Sequence, residues 1–264
     1  MEECRFEGFT SGNDIVTKHA DRWRKLSFGV AVLDHLTNGG IPMRGIFELA
    51  GDPGSGKTQI ALKIALEAQR QAPNHSVVYI CTEHMFPSKR LMQMEMECKR
   101  SNANDQLVQL RNFADHILVE HIRCVTTLTA CLYDRLPKLL QKTPISILII
   151  DSITNPFLEE KDYVSRAGTF RTIVHRLQQL QERYNFALFV TNQVRSVIDS
   201  ATLEDERIIP ALGLAWGSLV HTRLQLFRIA NSNERRCSVV FGPSLIPTYG
   251  YFGIDASGPI DLKE

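Results

Sequence analysis

The segment Gly51–Thr58, GDPGSGKT, places three glycines, a lysine and a threonine between an apolar run and an amphipathic run. It matches the pattern G-x-x-x-x-G-K-[ST], which forms a phosphate-binding loop when a strand precedes it and a helix follows. The glycines let the backbone bend until successive N–H groups converge, and the new helix adds its positive N-terminal end. The segment therefore predicts an anion cradle rather than an ordinary glycine-rich turn.

The cradle also predicts which groups would hold a nucleotide and its metal. Lys57 would place a point charge on the β and γ phosphates, and the Thr58 hydroxyl would bind Mg²⁺. ATP and Mg²⁺ are therefore the predicted cofactors. The residues predicted to contact the nucleotide are Gly51, Asp52, Pro53, Gly54, Ser55, Gly56, Lys57, Thr58 and Gln59.

Apolar runs of strand length alternate with helix-like runs along most of the chain, which predicts an α/β fold with a mainly parallel sheet flanked by helices. Several runs are apolar throughout, as is typical of strands covered on both faces. The predicted strands are 46–50, 77–81, 117–120, 145–150 and 186–191, and the predicted helices are 58–71 and 165–184. Three further runs predict an antiparallel C-terminal extension, at 219–229, 236–241 and 249–254. Trp216 precedes them in an apolar stretch, where we expect a core or interface role.

Three of the predicted strands end in polar residues that complete the site. The run ILIID ends at Asp151, which would hold the metal with Thr58. Ser152 follows, so the water-positioning carboxylate must come from another strand end, which Glu83 provides. A further strand end carries the amides Asn192 and Gln193, which could sense the γ-phosphate. Ligands of open parallel sheets lie at these carboxyl ends. For Asp151 the alternative is a helix-capping role at a strand-to-helix turn. For Glu83 and for Asn192–Gln193 the alternative is that each is an exposed loop residue.

Composition excludes several other classes of protein. The 30 basic and 29 acidic side chains nearly balance, so any site for a polyanion must be local. Six scattered cysteines show no zinc-binding spacing and favour a reducing compartment. The longest apolar runs fall far short of the roughly 20 residues that a membrane span needs. The sequence predicts a soluble intracellular protein, cytosolic or nuclear, with no membrane partner.

Residues from about 26 to 254 resemble the RecA/RadA recombinase superfamily. The segment LSFGVAVLDHLTNGGIPMRGIFELAG is similar to the entry segment of that family's core. The stretches YICTEHMFPSKRL and IPALGLAWGSLVHTRLQLF are most similar to eukaryotic paralogues of the strand-exchange recombinase, which act in homologous-recombination repair. The resemblance implies a RecA-like P-loop NTPase core over 25–264, preceded by an arm or linker over 1–24.

The resemblance also implies roles for individual residues. Glu83 would act as the general base or water-positioning carboxylate for attack on the γ-phosphate. Gln193 would link the γ-phosphate to the DNA-binding loop, and Lys57 would neutralise developing charge. The first DNA loop would span 155–169 and contain Arg166. The second would span 194–209 and contain two further predicted DNA contacts, Arg195 and Arg207.

Contacts between protomers follow from the same resemblance. Phe9, in FTSG, resembles the Phe-x-x-Ala linker motif that docks into a neighbouring protomer, although a plain disordered arm is the alternative. Pro247 matches a proline that caps the neighbour's nucleotide. The implied partners are other recombinase paralogues in a hetero-oligomer and single-stranded or branched DNA. The implied location is the nucleus and also the cytoplasm.

Three departures from the family pattern argue for slow hydrolysis and against autonomous strand exchange. His84 stands where the family usually has glycine, and Gly242 where it has a capping aspartate. The second loop carries acids that would repel phosphates, namely Asp199, Glu204, Asp205 and Glu206. The sequence predicts a weak DNA-dependent ATPase. The alternatives are a nucleotide-gated scaffold without useful hydrolysis, a small-molecule kinase and a hexameric helicase motor.

Overall fold

The computed structural model describes residues 10–18, 24–158, 162–197 and 207–262. The strands are β1 Lys25–Leu26, β2 Ile41–Pro42, β3 Ile46–Gly51, β4 Ser76–Cys81, β5 Ile117–His121, β6 Ile145–Asp151, β7 Ala187–Val197, β8 Arg207–Pro210, β9 Thr222–Arg228, β10 Glu234–Phe241, β11 Tyr249–Asp255 and β12 Gly258–Asp261. The helices are α1 Gly12–Lys18, α2 Ala31–Leu36, α3 Lys57–Gln71, α4 Ser88–Ser101, α5 Gln106–Leu110, α6 Val125–Ala130, α7 Leu136–Leu140, α8 Tyr163–Tyr184 and α9 Gly213–Gly217. A π-helical turn, Cys131–Arg135, joins α6 to α7, and 3₁₀ turns span Ala114–His116 and Asn155–Phe157.

Ten strands of the described ranges form one sheet in the order β12-β11-β10-β9-β3-β7-β6-β4-β5, with β8 paired to β7. The contacts of β3 with β7 and β9, and those among β7, β6, β4 and β5, are parallel. Strands β9 to β12 pair antiparallel. The predicted fold class, a mainly parallel sheet with an antiparallel C-terminal extension, is confirmed. The change of direction falls at β9, which is parallel to β3 and antiparallel to β10.

Two apolar clusters cover the two faces of the sheet. One joins Leu49 of β3 to Ile64 of α3, and the other joins Ile150 of β6 to Leu177 of α8. Side chains alternate between the faces of a strand, so a strand covered on both sides is apolar at every position. Strand β6 is accordingly buried from Ile145 through Ile150 and apolar there except at Ser146, with only its last residue partly exposed.

Helix α8 begins earlier than its apolar spacing predicts. The Asp162 carboxylate accepts a hydrogen bond from Val164 N at 3.0 Å and caps the N-terminus, and Asn185 ends the helix in the left-handed conformation at φ 53°. The prediction that 155–169 is a loop is therefore wrong from Tyr163 onward. Arg166 lies within the first turns of the helix.

The first helix of the core is fastened to the last strand. Asp261 of β12 accepts hydrogen bonds from Ala31 N at 2.8 Å and Val32 N at 2.9 Å, at the N-terminus of α2. In the predicted arm, Ser11 accepts from Asp14 N at 3.1 Å at the start of α1. The arm and core boundary at 24 stays a prediction. Across the described ranges, every helix is too short or too polar to cross a membrane.

Candidate nucleotide-binding site

The carboxyl ends of four neighbouring parallel strands lie at one edge of the sheet. In register, Gly51 at the end of β3 lies opposite Gln193 of β7, and Cys81 at the end of β4 lies opposite Asp151 of β6. The segments that follow these strands therefore start side by side. Asp151 ends β6, Glu83 follows β4 by two residues, and Lys57 and Thr58 begin α3. The sequence predicts Gln193 after the end of its strand, but β7 continues to Val197, so Gln193 lies within the strand beside the end of β3.

The backbone of the cradle needs glycine at two positions. Gly54 and Gly56 have φ of 75° and 111°, in the left-handed region that side chains disfavour. A Cβ on Gly56 would also lie 2.7 Å from Ile254 Cδ1, whereas a Cβ on Gly54 would meet nothing within 4 Å. Conformation thus requires glycine at both positions, and at Gly56 a side chain would also displace the end of Ile254.

The polar groups of the cradle fit a phosphate. Lys57 Nζ donates to the carbonyl oxygens of Gly51 at 2.7 Å and Asp52 at 2.9 Å. Burial lowers the pKa of Lys57, and the nearby Asp151 carboxylate opposes that effect. Ser55 Oγ is buried and has no hydrogen-bond partner among the described residues. An ammonium group held only by carbonyls and an unpaired hydroxyl can both turn to an anion, so the residues present suit a nucleotide.

The two residues predicted to bind the metal, Thr58 and Asp151, are hydrogen-bonded to each other. Thr58 Oγ1 donates to Asp151 Oδ2 at 2.8 Å. Two further hydroxyls that the sequence did not reveal also donate to this carboxylate, Tyr79 to Oδ2 at 2.7 Å and Thr191 to Oδ1 at 2.5 Å. Tyr79 is completely buried, and burial followed by the Asp151 charge raises the pKa of Tyr79 well above its ordinary value. A hydroxyl and an oriented carboxylate are ligands that suit Mg²⁺.

The predicted water-positioning carboxylate contacts the predicted γ-phosphate sensor. Gln193 Nε2 donates to Glu83 Oε1 at 2.8 Å, and Ser152 Oγ donates to the same oxygen. Ser152 occupies the position directly after Asp151, so no glutamate can stand there. In the structure the Ser152 hydroxyl instead orients Glu83, which follows the neighbouring strand β4. Glu83 and His84 line one cavity of about 200 Å³.

Two arginines that sequence reasoning did not connect with the cradle lie beside it. Arg235 of β10 donates through Nε to Ser55 O at 3.1 Å. Arg90 of α4 donates through Nε to Gln59 Oε1 at 2.7 Å. Both come from distant parts of the chain, and no local pattern marks them. Their contacts hold the backbone of the loop and the first turn of α3.

The predicted DNA contacts are not brought together by described side-chain contacts. The Arg166 guanidinium lies 4.7 Å from the centroid of the Tyr163 ring, on the same helix. Arg195 lies in β7 opposite Ile209, and Arg207 lies in β8. The side chains of these last two arginines fall outside the described part of the structure. Their contacts with DNA stay predictions.

Of the two predicted interface residues, only Pro247 lies within the described ranges. Pro247 is exposed between β10 and β11, and Phe9 lies outside the described residues. A Cβ on Gly242 would lie 2.7 Å from Leu245 Cδ1, so an aspartate there would require Leu245 to move. Gly242 thus leaves room for the Leu245 side chain. The protomer contacts stay predictions.

Comparison with known proteins places these features in one family. The Rad51 family model matches residues 21–262. DNA repair protein XRCC3 of Mus musculus is 33% identical over 250 residues, which cover 85% of this chain and 72% of that protein. The Bos taurus XRCC3 is 32% identical over 256 residues, covering 90% and 75%. DNA repair protein RAD51 homolog 3 of Dictyostelium discoideum is 27% identical over 287 residues, covering 96% and 69%. The chain therefore belongs to the Rad51 family of RecA-like proteins, as a paralogue similar to XRCC3.

Proposed function

We propose that the chain is a Rad51-family paralogue that binds ATP and Mg²⁺, hydrolyses ATP slowly and acts in DNA repair by homologous recombination. It works in a hetero-oligomer with other paralogues on single-stranded or branched DNA, in the nucleus and also in the cytoplasm. The convergence of Lys57, Thr58, Asp151, Glu83 and Gln193 at one sheet edge carries the proposal. The names of its relatives support the repair role.

The residues of the cradle have separate tasks in binding. The loop N–H groups and Lys57 hold the phosphates, and Lys57 exchanges its carbonyl acceptors for phosphate oxygens. Thr58 and Asp151 hold the metal, in an orientation that Tyr79 fixes through its hydrogen bond. When bound, ATP supplies the γ-phosphoryl group under attack and Mg²⁺ neutralises charge that develops on its oxygens.

Glu83 orients the attacking water and accepts its proton, while Gln193 reports the state of the γ-phosphate through the same carboxylate. The positions of these two side chains depend on each other because Gln193 donates to Glu83. Slow turnover fits the neighbouring His84, whose imidazole shares the small cavity in which Glu83 is accessible to water. Binding and positioning, rather than fast chemistry, are then the main output of the site.

The substitution Glu83→Gln tests the proposal most directly. The chain, co-purified with candidate recombinase paralogues, is assayed for magnesium-dependent ATP binding by calorimetry and for ATP turnover with and without single-stranded DNA. We expect E83Q to retain binding and assembly and to lose about 10²- to 10⁴-fold in turnover. Glu97→Gln, at a glutamate of α4 that pairs with Arg100 at 3.5 Å, is the matched control and should leave turnover unchanged.

Three other outcomes would contradict the proposal or favour one of its alternatives. If the folded chain takes up no nucleotide in the presence of magnesium, the proposal is wrong. If E83Q and the unsubstituted protein turn over ATP equally and repair equally well, the site serves as a nucleotide-gated scaffold. Transfer of phosphate to a metabolite without DNA would favour the small-molecule kinase.

A further inference from the structure

A carboxylate lies buried in the centre of the sheet, below the cradle. Glu48 is 0% exposed and occupies the middle of β3, opposite Val190 of β7 and Arg223 of β9. Its Oε1 accepts hydrogen bonds from Asn192 Nδ2 at 2.7 Å and from Trp216 Nε1 at 2.6 Å. Its Oε2 accepts from Arg223 Nε. One acidic side chain thus connects three strands and α9.

Stability alone does not account for this group. Well-packed apolar residues of similar volume often stabilise a core as much as a buried ion pair does, or more. The pair also leaves a polar atom unsatisfied, because Arg223 Nη2 is buried without a hydrogen-bond partner among the described residues. A guanidinium stacked on the Phe241 ring, at 5.1 Å from its centroid, compensates only in part. The network therefore invites a functional explanation.

The hydrogen bonds continue from Glu48 to the start of the first predicted DNA segment and to the helix that follows the second. Asn192 Oδ1 accepts from Thr154 Oγ1 at 2.7 Å, and that hydroxyl accepts from Gln193 N at 2.9 Å. Thr154 precedes the turn that opens the first predicted segment. Trp216 lies in α9, which follows the hairpin of β7 and β8 and hence the second predicted segment.

We infer that Glu48 is a positioning residue that couples Gln193 at the nucleotide site to the residues that flank the two predicted DNA segments, through Asn192, Thr154 and Trp216. This rests on the proposed function, since it assigns a route between the two sites that the function requires. A shift of Gln193 on γ-phosphate contact moves the adjacent Asn192, and the buried carboxylate passes that shift to Trp216. The ion pair with Arg223 holds the Glu48 carboxylate against β9 while its other hydrogen-bond partners shift.

The test uses Trp216→Phe, which removes one donor to Glu48 and keeps an aromatic ring. In the assembled complex, ATP affinity and turnover are measured with and without single-stranded DNA. We expect the ratio of stimulated to basal turnover to fall by about 5-fold or more, with ATP affinity changed by less than about 2-fold. Thr154→Val interrupts the same route, and the double variant should lose no more than the stronger single variant.

Phe170→Leu is the control for packing. The Phe170 ring lies 5.5 Å from Trp216 in the same apolar cluster and offers no hydrogen bond. It should lower the thermal midpoint while the stimulation ratio stays at the unsubstituted value. If Trp216→Phe behaves in the same way, Trp216 has only a structural role and the inference is overturned. Additive losses in the double variant would also overturn it.

A second measurement separates this inference from the proposed function. In a Trp23→Phe background, Trp216 is the only tryptophan of the 264 residues. Its emission should change on addition of magnesium and ATP, because its indole N–H is bound to the network that contacts Gln193. If DNA fails to stimulate turnover of the unsubstituted protein, the proposed function loses its DNA step, and the emission change still supports the coupling. Constant emission on nucleotide binding would refute it.

Discussion

Asp151 receives hydrogen bonds from hydroxyls that belong to three different elements. Thr58 comes from α3, Tyr79 from β4 and Thr191 from β7, with donor to acceptor distances of 2.5–2.8 Å. Such partners fix a carboxylate in the orientation that a metal requires. Thr58 is itself a predicted metal ligand, and Tyr79 and Thr191 orient the carboxylate without a predicted contact with the metal.

Tyr79→Phe should weaken magnesium binding without emptying the cradle. The ring remains, with its edge contact to Phe86 at 5.1 Å, and only the hydrogen bond to Asp151 is lost. We expect the magnesium concentration for half-maximal ATP binding to rise about 10-fold. Tyr249→Phe, at an exposed tyrosine of β11, is the control and should leave it unchanged. Equal magnesium dependence in the two variants would contradict the role given to Tyr79.

Cysteine reactivity should separate the thiols by their surroundings. Hydrogen bonds from Thr126 and Thr127 lower the pKa of the exposed Cys124 to about 7, whereas burial raises the pKa of Cys81 and Cys237 to about 12. The thiolate is the reactive form. Among the cysteines of the described ranges, we expect Cys124 to be alkylated first at about pH 7.5. Mass spectrometry of labelled peptides over time measures the order, and earlier labelling of Cys81 would contradict it.

At the scale of elements, α2 depends on a residue from the far end of the chain. Asp261→Ala removes the acceptor for Ala31 N and Val32 N, and we expect a loss of about 1 kcal/mol in the free energy of unfolding. Denaturant titration measures it. Asp134→Ala breaks an exposed pair with Lys138 and should cost less than about 0.5 kcal/mol. Equal losses in the two variants would mean that the Asp261 cap stabilises the protein no more than an exposed ion pair does.

The long strands were predictable, whereas the short strands β1, β2, β8 and β12 and some helices were not. Strands β3, β4 and β6 are apolar runs bounded by polar residues, so their patterns identify them. The helical stretch 125–140 was not predicted, because it contains a π-helical turn, Cys131–Arg135, and then Pro137. The extra residue in the turn breaks the 3.6-residue spacing, and a proline inside a pattern usually marks a helix end.

The residues of the site also fall into those that the sequence predicts and those that it does not. Lys57, Thr58 and Asp151 stand in or directly after the motifs that predict them. Tyr79 and Thr191 could not be found, since their contact with Asp151 depends on the register of three strands. Glu48 gave only a weak signal, a single acid inside an apolar strand, and its partner Arg223 lies 175 residues away. Local patterns predict the groups that end strands, and tertiary register decides which groups support them.

At the scale of the whole molecule, buried thiols should make stability fall at high pH. Burial raises the pKa of Cys237 from 9.0 to about 12, and those of Cys81 and Cys131 shift to about 12 as well. A group whose pKa is raised by folding stabilises fully below its unfolded pKa, and that contribution is lost as the pH rises through the folded value. We therefore expect stability to decline between pH 9 and about 12, by about 1.4 kcal/mol per pH unit for a fully buried thiol.

Denaturant titrations across that pH range compare two variants. Cys237→Ala should decline less steeply than the unsubstituted protein, because one titrating thiol is gone. Cys124→Ala should decline as steeply as the unsubstituted protein, since the pKa of Cys124 lies near 7, below the window. The same slope in both variants would contradict the assignment to Cys237.

The ion pair of Glu48 and Arg223 also constrains how such a chain can diverge. Replacing either partner alone leaves the other as an unpaired buried charge, which costs about 3–5 kcal/mol, a large share of the stability of an ordinary domain. Substitutions at the two positions are therefore tolerated only together, although separate codons far apart in the gene encode them. Mutational drift should leave this contact between β3 and β9 in place long after the surface of the protein has changed.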